Sequence, residues 1–252
     1  WGDPDVIYEM LRQRPFREGF GDLLAEGPIR AAEKIGRGSD YYLIQVKGMS
    51  NLQSDERPTP SLALNVAVAT RGSDHLRGRP IPDLYGLPKD VLEQRYGGEQ
   101  TTDFNSYVGK ARMVYSHETR NCTKDCWGNC GMGGRSEPKA VYLNTGLRYT
   151  PQETFEIAER IYTLERMINE KHGMSRKDDR LCERYYVEPT TMGMPKARGK
   201  TIDREKFEGM LDELYELHGL DSEGHATEET KKRLGLDQEP SYRIGAVVKD
   251  WL

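Results

Sequence analysis

The sequence predicts a mainly α, multihelical protein. Three observations carry this. Several stretches repeat apolar side chains with the 3.6-residue period of a helix, they open on Asp, Thr or Pro caps and close on glycine, and only one stretch reads as a strand. The 252 residues are enough for one large domain or two smaller ones. A hydrophobic fraction of 36% and a mean hydropathy of -0.80 are low for this length. With 31% charged residues, either the surface is heavily solvated or part of it is normally covered by further chain.

The elements follow in order. Asp3 is the N-cap and Pro4 the first helical residue of a helix that places Val6, Ile7, Met10 and Leu11 on one face, and Pro15 ends it. A second helix begins near Gly21-Asp22 and carries Leu23, Leu24, Ile29, Ala32 and Ile35, with Gly27-Pro28 marking a new first turn or a kink. Residues 41–46, rich in aromatic and branched side chains, form the strand candidate. Residues 48–60, with Gly48, Asn51, Ser54, Asp55, Pro58 and Pro60, read as a loop and a domain boundary.

Helix resumes after Thr59-Pro60, where Leu62, Leu64, Val66, Ala67, Val68 and Ala69 are apolar nearly all round, the pattern of a helix buried inside a larger protein. It ends at Arg71-Gly72, and the polar run Ser73-Asp74-His75-Leu76-Arg77-Gly78 follows, a placement that favours function. Residues 88–95 form a short helix, and residues 107–120 lead as a helix into a glycine-rich cysteine loop. Thr150-Pro151-Gln152-Glu153 is a capping box. Phe155, Ala158, Ile161, Tyr162, Glu165 and Ile168 then keep a helical period with one polar member, running to Gly173. Residues 203–218 carry Phe207, Met210, Leu211, Leu214 and Tyr215 on one stripe with Gly219 as the stop, and a short helix spans 227–234.

With 37 basic and 41 acidic residues interspersed, the net charge of -4 creates no field that would gather polyanions, so nucleic-acid binding is not expected. No apolar run reaches the roughly 18 residues of a membrane span. Four cysteines, three of them within nine residues and Cys182 far away, do not resemble a disulfide framework, so reduced thiols and a cytoplasmic location are expected.

Cys122, Cys126 and Cys130 recur every fourth residue among Gly128, Gly131, Gly133 and Gly134, whose bare backbone lets amides approach an anion or a cluster. The intervening Gly, Asn and Trp favour a loop over a helical stripe. Spacing leaves three readings open: iron–sulfur ligands, a zinc site, or buried unreactive thiols. His75, preceded by Asp74 and flanked by Arg71 and Arg77, suits proton transfer near neutral pH, or a hydrogen-bonded structural role. His218, in the last turn of a helix, and Asp83, in a turn before one, read as structural.

Asp125-Cys126-Trp127-Gly128-Asn129-Cys130 resembles the Asp-x-x-Gly-Leu-Cys pterin and cluster motif of the tungsten-containing aldehyde ferredoxin oxidoreductases. In the same order, residues 19–27, 70–78, 109–114, 145–153, 159–162, 176–184 and 210–220 also look like that family, so the resemblance covers essentially the whole chain. It implies an aldehyde ferredoxin oxidoreductase C-terminal domain-like fold, with the end of helical domain 2 in residues 1–47 and helical domain 3 in residues 48–252. Family members hold a tungsten or molybdenum bis-pterin beside one [4Fe-4S] cluster. By the resemblance, Asp125 hydrogen-bonds pterin nitrogens within a motif that keeps Gly128, Cys130 is the fourth cluster ligand, and His75 lies near the metal for proton transfer.

The implied reaction oxidises aldehydes to carboxylic acids and passes electrons through the cluster to ferredoxin. The segment alone is expected to be inactive, and its expected partners are ferredoxin, a small aldehyde, the N-terminal half of the same enzyme and a second copy. Asn129, Trp127 and the extra thiols Cys122 and Cys126 depart from the motif. The family also includes enzymes that reduce aromatic acyl thioesters. A non-catalytic helical or metal-binding module using Cys122, Cys126 and Cys130 is the alternative from another class.

Overall fold

The computed structural model describes residues 2–52, 54–96, 103–126, 128 and 138–238. Among them are twelve α-helices and one two-stranded hairpin, the mainly α architecture that the periodicity predicts. The first helix, α1 (Pro4–Phe16), starts as expected: Asp3 accepts the Asp5 N–H at 2.9 Å and Pro4 takes the first position. It runs one residue past Pro15 and closes on Arg17, whose φ is 55°. The Gly27-Pro28 break separates two helices, α2 (Gly19–Ala25) and α3 (Pro28–Ile35). At Gly21 the chain of α2 meets α1 so closely that a Cβ would lie 2.4 Å from the Gln13 carbonyl carbon, which only glycine permits.

The strand expected over residues 41–46 is largely replaced. Gly36 and Gly38 turn the chain with positive φ, the Ser39 hydroxyl donates to the Ala32 carbonyl at 2.8 Å, and Ser39–Tyr42 becomes a 3-10 turn. Tyr41 and Tyr42 pack edge to face with centroids 5.5 Å apart beneath the Arg184 guanidinium, so the aromatics serve this side-on cluster instead of a sheet face. Within 41–46 only Gln45–Val46 (β1) is paired as a strand, antiparallel to β2 (Met49–Ser50), which lies inside the stretch that reads as loop.

The core forms around α4 (Pro60–Val68), every residue of which is buried. Beyond it lie α5 (Ile81–Tyr85), α6 (Lys89–Tyr96), α7 (Lys110–Cys126), α8 (Pro138–Thr145), α9 (Pro151–Lys171), α10 (Arg184–Val187), α11 (Arg204–His218) and α12 (Glu228–Arg233). Ala63, Leu64, Ala67 and Val68 of α4 meet Ala111 and Val114 of α7 and the Phe207–Tyr215 stripe of α11, while α9 packs along α7 through Ala158 and Tyr162 against Cys122. Thr150 and Glu153 form the reciprocal capping box and Gly219 closes α11 at φ 65°, both as predicted, while Asp203 stands just before the helix as its N-cap.

The helix expected to end near residue 120 continues through Cys122 and Cys126. Residues 120–126 contain no Gly or Pro, so nothing interrupts the backbone ladder before Gly128. The cysteine loop expected around Cys122 and Cys126 is therefore helix. Asp83 and His218 are structural, as expected. Buried Asp83 lies 2.7 Å from buried Lys110 and accepts from Ser61. His218 stacks on Tyr162 with centroids 3.9 Å apart and places Nε2 3.3 Å from Glu118. No helix among the described residues is long and apolar enough to cross a membrane.

Candidate functional site

The polar run that follows α4 has no regular structure, and side chains of the helices hold it. Asn65, the one amide in α4, is fully buried. Its Oδ1 accepts the Gly78 N–H at 2.5 Å, and its Nδ2 reaches the Asp74 and His75 carbonyls at 3.3 and 3.4 Å. From α7, the Asn121 amide donates to the Leu76 and Arg77 carbonyls, each at 2.9 Å. Gly78 threads between these supports: a Cβ there would lie 2.5 Å from both Asn65 Oδ1 and Glu118 Cγ.

Arg77 is the centre of the arrangement, with 3% of its side chain exposed. Its Nη2 donates to Glu165 Oε1 at 2.6 Å, and its Nη1 lies 3.2 Å from both Cys122 Sγ and Asp125 Oδ2. Burial works against the charge, yet Cys122, Glu165 and Asp125 outweigh it and raise the guanidinium pKa. Nε is buried with no hydrogen-bond partner among the described residues. Glu165 is the polar member of the α9 stripe, and its second oxygen accepts from the Thr70 hydroxyl at 2.6 Å.

Asp125 sits in the last turn of α7, the end of a helix where a carboxylate is disfavoured. Two guanidinium groups from the His75 run offset this: Arg77 at 3.2 Å and Arg71 at 3.5 Å, both measured to Oδ2. Arg71 also pairs with Asp74, whose Oδ1 accepts the Leu76 N–H at 2.8 Å. Asp125 keeps 35% of its side chain exposed, and its Oδ1 makes no hydrogen bond among the described residues. The structure thus brings the His75 run and Asp125 together.

His75 is half-buried, and its imidazole makes no hydrogen bond among the described residues. Gly128 has φ 66°, donates its N–H to the Asp125 carbonyl at 3.1 Å, and among the described residues nothing lies within 4 Å of where a Cβ would stand. Cys130, Trp127 and Asn129 lie outside the described residues. Cys122 packs against Ala158 and Tyr162, and burial pushes its thiol up to about 12, with Arg77 opposing only in part. It stays protonated at neutral pH, the state of an unreactive buried thiol. Cys126 is exposed, and Cys182 lies apart from both. Among the described residues, no three His, Cys, Asp or Glu side chains gather to hold a metal ion.

Asn65, Arg77, Asn121 and Glu165 were not singled out as site residues by sequence reasoning. Asn65 and Glu165 did carry a signal, each being a polar residue inside an apolar helical pattern. Arg77 and Asn121 carried none, because their partners come from distant elements.

Fold and site together define a multihelical domain that gathers a carboxylate and a histidine-bearing run around one buried guanidinium, with an imidazole that makes no hydrogen bond among the described residues. The chain belongs to the aldehyde ferredoxin oxidoreductase family: the model for aldehyde ferredoxin oxidoreductase, domains 2 and 3, matches residues 1–236. It is 29% identical over 245 residues to the tungsten-containing aldehyde ferredoxin oxidoreductase of Pyrococcus horikoshii, covering 94% of this chain and 38% of that protein. It is also 28% identical over 251 residues to the aliphatic sulfonate oxidoreductase, WOR-like subunit, of Pyrococcus furiosus, covering 94% of this chain and 36% of that protein. The chain therefore spans less than two fifths of the length of these relatives. In fold it is similar to a chain of the active site complex BamBC of benzoyl coenzyme A reductase, with a TM-score of 0.67 and 21% identity, covering 91% of this chain and 38% of that one.

Proposed function

We propose that this chain is the C-terminal segment of an oxidoreductase that oxidises aldehydes to carboxylic acids at a tungsten or molybdenum bis-pterin and passes electrons through a [4Fe-4S] cluster to ferredoxin. In this reading residues 1–47 end helical domain 2, residues 48–252 form helical domain 3, and the N-terminal half supplies the remaining ligands. The observation that carries it is the gathering of Asp125 and the His75 run around Arg77, beside the open backbone of Gly128.

These residues fit one edge of such a group. Asp125 has one oxygen available to accept from pterin N–H groups, while two guanidinium groups hold the other. Gly128 leaves space for close approach. The described residues do not by themselves hold a metal, so the ligands would come from Cys130 and from chain beyond this segment. The bound cofactor supplies the redox chemistry. His75, whose imidazole has no competing hydrogen bond among the described residues, takes and returns the substrate proton. Arg77, screened from water, fixes the orientation of Asp125.

The test uses the full-length parent protein, produced anaerobically with tungstate, with tungsten, iron and aldehyde-dependent dye reduction measured together. His75→Ala is expected to retain both metals and lose about 100-fold or more in rate. Cys130→Ala is expected to lose iron. Normal metal content and normal activity in both variants would overturn the assignment. Assaying the same preparation with an aromatic acyl-CoA and a reductant tests thioester reduction as the alternative reaction.

A further inference from the structure

A second cavity lies on α7 beside the candidate site. Its volume is 160 Å³, and its polar lining is Arg79, His117, Arg120, Asn121 and Lys124, with Leu76 forming part of the wall. His117, Arg120, Asn121 and Lys124 fall at helical spacings of three, four and seven, so one face of α7 presents them together. Among the described residues, no acidic side chain lines the cavity. Among the described residues, neither Arg120 nor Lys124 has a carboxylate within ion-pair distance, and Arg79 contacts only the Tyr85 hydroxyl at 2.7 Å and the face of its ring. The adjoining Arg71 and Arg77, by contrast, are both matched by carboxylates.

Arg120 and Lys124 are like charges one turn apart, an arrangement that destabilises a helix unless an anion lies between them. They rim a concave space that also contains a buried imidazole. We propose that this cavity is an oxyanion site for a phosphate group, bound by Arg79, Arg120 and Lys124 with a ring N–H of His117. The volume equals roughly five waters at about 30 Å³ each, and it falls below the roughly 300 Å³ of pockets that enclose a whole small molecule. It therefore takes one phosphate and not a nucleoside or a pterin ring. A phosphate near neutral pH carries between one and two negative charges on tetrahedral oxygens, which three convergent cations match better than they match a carboxylate. His117 is uncharged at neutral pH because burial, then Arg120 and Lys124, hold its pKa down at about 4, so it donates one N–H without adding to the crowding of cations.

Leu76 connects the two sites. Its side chain lines the cavity, its carbonyl accepts from Asn121, and it stands between His75 and Arg77 in the chain. A phosphate bound there braces the His75 run from behind, as free phosphate or as the phosphate ester end of a larger molecule. The inference does not depend on the redox reading, because binding rather than turnover tests it.

Full-length parent protein is titrated calorimetrically with inorganic phosphate at low salt, and separately with glycerol 3-phosphate. Saturable binding of phosphate is expected, weakened about tenfold or more by the paired substitutions Arg120→Gln and Lys124→Gln and weakened also by added salt. Arg79→Gln, which leaves α7 untouched, gives an independent loss, and circular dichroism checks the fold of each variant. Binding of inorganic phosphate alone assigns the site to the free anion, whereas binding of both ligands assigns it to a phosphate ester. Absence of saturable binding, or binding that the paired and single substitutions leave unchanged, overturns the proposal.

Discussion

Replacing Arg77 by Met keeps an aliphatic stem of similar length and removes the charge at the centre of the site. The interaction lost with Glu165, at 2.6 Å, is a hydrogen bond between charged groups, a class that contributes about 1.5–3 kcal/mol. Asp125, with 35% of its side chain exposed, adds under about 1 kcal/mol because solvent screens it. Against these losses, the variant relieves the buried, unpartnered Nε, whose desolvation costs roughly 1–3 kcal/mol. The net destabilisation is therefore about 1 kcal/mol, less than the ~3–5 kcal/mol for breaking a fully buried pair.

Because the net value mixes opposing contributions, the sharper measurement is a double-mutant cycle of Arg77→Met with Glu165→Gln. Glu165 keeps 30% of its side chain exposed, which reduces the expected coupling to about 1–2 kcal/mol. Urea unfolding of the full-length parent, followed at the transition that both single variants shift, gives the coupling. A value below about 0.5 kcal/mol refutes the placement of Arg77 at the centre.

Burial, then Arg120, Lys124 and Arg95, lower the His117 pKa from 6.5 to about 4. The unfolded chain therefore binds more protons below pH 6.5, so the stability due to neutral His117 is full above that pH and is lost as pH falls toward about 4. The loss reaches about 3 kcal/mol, and unfolding midpoints across this window should be flatter by that amount in His117→Asn. Lys110→Met strands the buried carboxylate of Asp83, 2.7 Å from the lysine, and is expected to destabilise by about 3–5 kcal/mol in chemical denaturation. Gly78→Ala places a methyl 2.5 Å from Asn65 and Glu118, so it should destabilise by about 1–3 kcal/mol and lower the melting temperature even though the side chain is small.

The helices were legible because local signals agreed with burial. The Thr150–Glu153 box, the Phe207–Tyr215 stripe stopped by Gly219 and the all-round apolar α4 each specify one element, and each is found where its residues require. The strand over residues 41–46 misled because aromatic content marks a strand only when the side chains alternate across a sheet, whereas Tyr41 and Tyr42 pack on each other and on Arg184. The cysteine spacing misled in a related way. Glycines at 128 and beyond suggested a loop, but a helix needs only the absence of breakers up to Cys126. His75 and Asp125 were nameable from sequence; the link between them was not. It runs through Arg77 and Arg71 to α7 and through Arg77 to Glu165 on α9, residues far apart in the chain.

The way the His75 run is held bears on its chemistry. Apolar packing tolerates small shifts at little cost, whereas hydrogen bonds weaken steeply as their angle bends. Residues 74–78 are located almost entirely by the second kind of contact: Asn65 from α4, Asn121 from α7, Glu165 from α9, and the Arg71–Asp74 pair within the run itself. Three helices, α4 and α9 each packed on α7, thus aim polar groups at five consecutive residues, so moving any one helix strains bonds to that run. A loop held in this way keeps the backbone of His75 in place without any hydrogen bond to the imidazole itself among the described residues. The stability of the arrangement therefore resides in residues other than His75.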